Sequence, residues 1–332
     1  MTTHQNCGGE APAPKPEFFT RSYLLLCGGV GGSKLADGLA RILPSGRLHV
    51  VVNTGDDFTH LGLRICPDLD TVTYMMAGLV SRERGWGRED ETWAAMDTLR
   101  SLGGPDWFQL GDRDLALHVL RSHWLRQGAT LSEAMARVAS GLGLKHVPQP
   151  MSDQAAPTEI ETGQGLLPFQ EYFVRQACRP VATKVHYGAA DSAVAASPAL
   201  SKALNDPDLA GVIIAPSNPI LSIGPMLALA ELRAFLNQGR VPAVAVSPFI
   251  GQAVVKGPAA KIQAELGLAP GDSGLCSLYA GWLSGLIVHA DAVTPAPTGL
   301  PVPLRACNTL MLNAADRERV AREALDFLES LS

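Results

Sequence analysis

The sequence has no paired-cysteine unit, no basic block and no long apolar run, and each absence removes a class of function. Its six cysteines (Cys7, Cys27, Cys66, Cys178, Cys276 and Cys307) include no CxxC spacing, which argues against a zinc ribbon. Several of them sit inside apolar runs and read as small buried hydrophobes. With no secretory leader to read, a reducing cytoplasm is the expected compartment. No uninterrupted apolar stretch reaches the roughly 18–20 residues that cross a bilayer, so no membrane is expected as a partner. Charged residues make up 18% of the 332, with a formal net charge of −5 and no basic stripe, so nucleic acid is not expected either. No internal repeat stands out. What is present is an apolar fraction of 46%, enough for a sizeable core, and a chain suited to small-molecule ligands.

Residues 1–20 are rich in Pro, Ala and Gly and read as a disordered tail; the remaining 21–332 read as a single α/β domain. "YLLLCGG" and "LHVVVNTGDD" are buried strands flanking the helix "SKLADGLARIL", which makes a βαβ unit. "DTVTYMMAGLV" reads as a helix capped by Asp70 or Thr71, and a long helical stretch runs from about Glu89 to Leu142, broken at "GGPDWFQLGDRD". Strand–helix alternation returns at "LAGVIIAPSNP", "VPAVAVSPFIG" and "LSGLIVHADAV", and the chain closes with an amphipathic helix. The expected fold is a doubly wound, mostly parallel, Rossmann-like sheet with a helical and irregular middle insertion. Within it, 147–190 reads as a lid or small subdomain.

Ligands of such sheets bind beyond the carboxyl ends of the strands, so the loops there hold the candidate chemistry. The first is "GGVGGSK". Gly28, Gly29, Gly31 and Gly32 would bring backbone N–H groups to an anion, with the next helix's positive end and Lys34 adding charge. It is not a Walker A loop, because Ser33 precedes Lys34, and it lacks the third glycine of a dinucleotide fingerprint. A bare strand-to-helix turn is the alternative. Asp56, Asp57, Asp68 and Asp70 follow the second strand, and carboxylates of this kind suit Mg²⁺ beside substrate phosphates. Asp68 and Asp70 also read as helix caps. In "LGDRDLALHVLRSHW", Asp112 reads as a cap and Arg113 as a phosphate ligand, with Arg121 two turns on. His118 and His123 are five apart and read as structural. Ser217 and Asn218 offer hydrogen bonds to an anion or a base edge, or simply cap a helix. No Ser–His or Cys–His set is apparent, so the residues favour metal-assisted phosphoryl chemistry over covalent catalysis.

The ordered set "GGVGGSKLADGL", "VVVNTGDDFTHLGLRICPDLDTVTY", "RGWG", "LGDRDLALH", "MSD", "FQEYFV", "APSNPILSIGP" and "AVSPFIG…VKGPAAK" resembles the 2-phospho-L-lactate transferase family of coenzyme F-420 biosynthesis, from about Leu24 to near Val288. The resemblance implies transfer of a phospho-hydroxyacid group from a guanosine diphosphate conjugate to the ribityl hydroxyl of 7,8-didemethyl-8-hydroxy-5-deazariboflavin, with GMP released. The acid is 2-phospholactyl, phosphoenolpyruvyl or phosphoglyceryl. By matching positions, the resemblance implies donor phosphates on Gly28, Gly29, Gly31, Gly32 and Lys34, beside the Arg113 read above, and the nucleotide on Ser217 and Asn218. It likewise implies the deazaflavin on Asp70 and Gln109 and a homodimer; the residues themselves add the expectation of Mg²⁺ on Asp56 and Asp57 and of catalysis by Asp70 and Asp57. The N-terminal tail departs from the family pattern. A related family of nucleotide-sugar-binding regulators, of the gluconeogenesis-factor type, shares the GG-x-G start and the acidic pair but not "GLRICPDLDTVTY" or "LGDRD".

Overall fold

Tyr23–Cys27 is apolar at every position because both faces of its strand are covered: all of Ser22–Cys27 is buried. A computed structural model describes residues 20–191, 193–251, 253–254 and 257–331. The expected tail therefore lies, apart from Thr20, outside the described residues. In chain order the strands are β1 (Ser22–Cys27), β2 (Leu48–Val52), β3 (Phe58–His60), β4 (Leu63–Ile65), β5 (Pro148–Pro150), β6 (Thr158–Thr162), β7 (Gly165–Pro168), β8 (Ala182–Tyr187), β9 (Leu209–Ile214), β10 (Ala243–Val246), β11 (Phe249–Ile250), β12 (Ala253–Val254), β13 (Gly285–His289) and β14 (Leu304–Cys307). The helices are α1 (Gly29–Ile42), α2 (Pro67–Met76), α3 (Ala94–Ser101), α4 (Asp112–Arg126), α5 (Leu131–Gly141), α6 (Pro198–Leu204), α7 (Gly224–Leu227), α8 (Ala230–Gln238), α9 (Ala259–Glu265), α10 (Gly271–Leu278) and α11 (Ala314–Ser330).

Seven strands form one parallel sheet in the order β14-β13-β10-β9-β1-β2-β5. The strand period of two sends alternate side chains to two cores. Tyr23, Leu25 and Cys27 pack with Leu35 and Leu39 of α1, Val72 of α2 and Leu325 of α11. Leu24 and Leu26 pack on the other face with Leu200, Leu232 and Leu275 of α6, α8 and α10. This is the doubly wound α/β fold expected. From β1 the order runs outward to β2 on one side and through β9 to β14 on the other, so the chain reverses direction between β1 and β9. That gap is the sheet's topological switch point.

Several boundaries differ from expectation. The segment 147–190 opens with β5, an edge strand of the main sheet, and continues into a separate antiparallel sheet of order β7-β6-β8. The long helical stretch is three helices, α3, α4 and α5. Helix α2 starts at Pro67, a favoured first position, so Asp68 and Asp70 lie inside its first turn and neither Asp70 nor Thr71 caps it. Strand β14 gave no apolar run to read, because it is a half-exposed edge. Among the described residues, no single helix is long and apolar enough to cross a membrane.

Candidate functional site

At the switch point the end of β1 and the end of β9 are tied together. The Gly28 N–H donates to Ser217 Oγ at 3.0 Å, and that hydroxyl donates back to the Gly28 carbonyl at 2.8 Å. Helix α1 begins at Gly29, so the glycine-rich stretch is its first turn, not a loop ahead of it. Gly29 takes a left-handed φ of +63°, and its N–H donates to Asp68 Oδ1 at 2.7 Å. A methyl group on Gly31 would run into the Pro216 carbonyl oxygen, and one on Gly28 into the Asp68 carboxylate. The glycines are thus required by close approach of Pro216, Ser217 and Asp68. The N–H groups of Gly28 and Gly29, expected to face a phosphate, are here engaged by Ser217 and Asp68.

The acidic cluster sorts into three environments. Asn53 Nδ2 donates to Asp56 Oδ1 at 3.2 Å and to Asp68 Oδ2 at 3.0 Å, bridging two buried carboxylates at the start of α1. Burial pushes the Asp68 carboxyl up. Burial and then the neighbouring Asp68 push the Asp56 carboxyl well above the usual range. Asp57 points elsewhere: its side chain is fully buried against Arg64, whose Nη2 lies 3.1 Å from Oδ2. Burial raises Asp57 to about 6 although Arg64 pulls it down. Asp57 does not line the cavity, so the structure separates it from Asp56, its expected partner at Mg²⁺, and sets Asp68 beside Asp56 instead. A divalent cation fits that pair, since it would offset the burial and mutual repulsion that both carboxyls carry.

Asp70 is the third case. Arg121, fully buried, holds it bidentately, with Nη1–Oδ1 at 2.5 Å and Nη2–Oδ2 at 3.0 Å. Beside them the Tyr74 hydroxyl donates to Asp114 Oδ1 at 2.6 Å, and His118 Nε2 lies 3.3 Å from the same oxygen. Burial alone would raise the Asp114 carboxyl, but His118, Tyr74 and Arg121 together hold it below its usual range.

These groups open on one cavity of about 670 Å³ across the switch point. Gly28, Gly29, Gly31, Lys34, Asp56, Asp68, Asp70, Gln109, Ser217 and Asn218 line it; Gly32 faces Ser217 and the core and does not. Asn218 Oδ1 accepts from the N–H groups of Ile220 and Leu221, a local backbone cap, whereas Ser217 of the same turn is spent on Gly28 across the crevice. Aromatic rings from three segments, Trp86, Trp107 with Phe108, and Phe169 with Phe173, add a broad apolar wall. Phe169 and Phe173 are stacked with centroids 5.3 Å apart. Gln109 is exposed beside this wall and donates to the Asp106 carbonyl. Thr309–Leu312, between β14 and α11, completes the lining.

The family model described as "2-phospho-L-lactate transferase CofD" matches residues 24–299. The chain belongs to the 2-phospho-L-lactate transferase CofD family. A 2-phospho-L-lactate transferase from Methanosarcina mazei is 38% identical over 261 residues, covering 78% of this chain and 84% of that protein. A phosphoenolpyruvate transferase from Streptomyces coelicolor is 36% identical over 320 residues, covering 93% and 98%. By structure, a UPF0052 family protein from Bacillus halodurans aligns with TM-score 0.62 over 92% of this chain and 99% of its own, at 12% identity, which speaks to the fold alone.

One expected site residue, Arg113, is placed differently by the structure. It is exposed at the start of α4 and absent from the cavity wall, and its backbone N–H donates to Glu91 Oε2 at 2.8 Å. Glu91 caps α4, while Asp112 accepts from the N–H groups of Ala94 and Ala95 and so caps α3, not its own helix. Arg113→Ala is expected to leave turnover within about twofold and stability within ~0.5 kcal/mol, as an exposed substitution does; steady-state kinetics and a thermal melt check this. His118, read as structural, lines the cavity, whereas His123 is exposed. The signal for His118 was present. Asp114, His118 and Arg121 stand at i, i+4 and i+7, one face of α4. The 118–123 comparison used a spacing that puts the two histidines on different faces.

Proposed function

We propose that this chain transfers a phospho-hydroxyacid group from a guanosine diphosphate conjugate to the ribityl hydroxyl of 7,8-didemethyl-8-hydroxy-5-deazariboflavin, releasing GMP. Family membership carries the coarser part, a phosphotransferase role in coenzyme F-420 biosynthesis. The observation that supports the finer reading is a single cavity holding two unlike surfaces. One is a pair of buried carboxylates at the start of α1, next to Lys34; the other is an aromatic wall beside Asp70. The first suits a Mg²⁺-bound diphosphate, the second a flat tricyclic ring.

Asp56 and Asp68 would hold Mg²⁺, which when bound neutralises charge on the transferring phosphoryl group. Lys34 and the first turn of α1 at Gly31 face the donor phosphates. Asn218 and the backbone of the Pro216–Asn218 turn take the nucleoside. Trp107, Phe108 and Gln109 seat the deazaflavin ring. Asp70 keeps lone pairs beyond those used by Arg121 and accepts a hydrogen bond from the acceptor hydroxyl, aligning it. The hydroxyl oxygen bonds to the phosphorus bearing the acid, the bond to the GMP phosphate breaks, and the hydroxyl proton is released to water. No covalent enzyme intermediate is involved. A homodimer in a reducing cytoplasm belongs to the same reading. The five described cysteines are all free, which suits that compartment, and light scattering tests the dimer.

The test is mass spectrometry of the product formed from the deazariboflavin and a panel of guanylated lactyl, enolpyruvyl and glyceryl donors. One donor is expected to dominate, with GMP released in equal amount and release abolished by EDTA and restored by Mg²⁺. No product mass from any donor would sink the reading; EDTA-resistant turnover would sink the metal's part in it.

A further inference from the structure

We infer that Arg121 and His118 are positioning residues that aim Asp70 into the cavity, with His118 acting through Arg121. The inference rests on the role just given to Asp70. Asp70, Asp114 and His118 bring one ligand atom each within 4.8 Å of one another, a spacing that invites a metal ion. The guanidinium of Arg121 already supplies the positive charge there. It is fully buried, and its donors face both oxygens of Asp70, the Arg64 carbonyl from Nε at 3.2 Å and Nη2 at 2.9 Å, Met135 Sδ from Nη1 at 3.9 Å and His118 Nδ1 from Nη2 at 2.8 Å, the two hydrogens of Nη2 being shared among three acceptors. Arg121 therefore ties β4 at Arg64 to the first turn of α2.

The tautomer of His118 follows from its partners. Arginine only donates, so Nδ1 accepts and the ring proton falls on Nε2, which lies 3.3 Å from Asp114 Oδ1 without hydrogen-bond geometry. Asp114 is itself fixed by the Tyr74 hydroxyl. The imidazole lone pair is thus spent on rotating the guanidinium onto Asp70 and is unavailable to a substrate. This makes His118 a support and not a base.

Asparagine presents an amide oxygen near the place of Nδ1, whereas leucine fills the space without an acceptor. His118→Leu is expected to lower kcat about 10- to 100-fold, the scale of a small misplacement of the reacting group, with the donor KM within about twofold. His118→Asn should stay within about threefold of the parent. Arg121→Lys should lose about 100-fold in kcat, because an ammonium cannot span both carboxylate oxygens and the Arg64 carbonyl. Thermal melts report whether each variant folds; if Arg121→Lys does not, the two His118 variants still decide. Equal impairment by leucine and asparagine, or none by leucine, overturns the inference. A separate readout needs no substrate: in ¹⁵N-histidine-labelled protein, the signal lost in His118→Asn should be that of the Nε2–H tautomer. An Nδ1–H tautomer overturns the inference even where the transfer reaction itself is confirmed. A parent enzyme that makes no product sinks the proposed function instead.

Discussion

Asp70→Asn is expected to reduce GMP release by roughly 10²–10³-fold, the loss that follows removal of one polar contact to a reacting group. It is also expected to weaken the fold, for a reason visible only in the structure. The carboxylate is the ionic partner of a fully buried arginine. Removing one member of such a pair leaves an uncompensated charge in the interior, at a cost of about 3–5 kcal/mol. A melting temperature lowered by several degrees should therefore accompany the loss of turnover. The two effects separate in a titration with deazariboflavin at a temperature where the variant is folded. Parent-like kcat under those conditions would remove Asp70 from the site.

The second large effect is expected at Gly31. Alanine there would drive its methyl group into the Pro216 carbonyl oxygen, a backbone atom that cannot rotate away. Either the start of α1 or the turn after β9 must retreat, and both line the cavity. The expected cost is about 1–3 kcal/mol of stability, as for other overpacked sites. A loss of about 100-fold in kcat/KM for the donor follows, because the displaced turn carries the phosphate-facing groups. Gly46→Ala is the control. Gly46 sits at φ +80° with nothing within 4 Å of an added methyl, so it should lose only about 1 kcal/mol to backbone strain and leave kinetics unchanged. If Gly31→Ala behaves like Gly46→Ala, the crowding argument is wrong.

The parts of the fold that could be read from the sequence are those where one physical demand dominates. β1, β2, β9, β10 and β13 are buried on both faces but for His49, so each carries an unbroken apolar stretch of three residues or more. β5 and β14 are edges. β5 contains two prolines, and β14 is half-exposed, so neither carries that signature. The neighbourhood of the site was legible because the rule about strand ends locates it without side-chain detail. The division of labour within it was not. Asp56 and Asp57 are adjacent in sequence, yet one faces the cavity and the other pairs with Arg64, a difference set by the backbone turn they share. Arg113 and Arg121 are equally plausible phosphate ligands by residue type. Only the helical phase of α4 turns the first to solvent and buries the second. The aromatic wall comes from segments around 86, 107 and 170, which no local pattern brings together.

The reciprocal bonds between Gly28 and Ser217 carry the pairing of β1 with β9 past the ends of the two strands, and Pro216 lies against Gly31 beside them. The floor of the crevice is therefore backbone tied from both sides, whereas its wall includes rings such as Trp86, 40% exposed, and Phe173, 37% exposed. Exposed side chains reorient on a picosecond-to-nanosecond scale, far faster than packed backbone shifts. Under the proposed function, the donor's phosphates would meet the fixed floor and the acceptor's ring the adjustable wall.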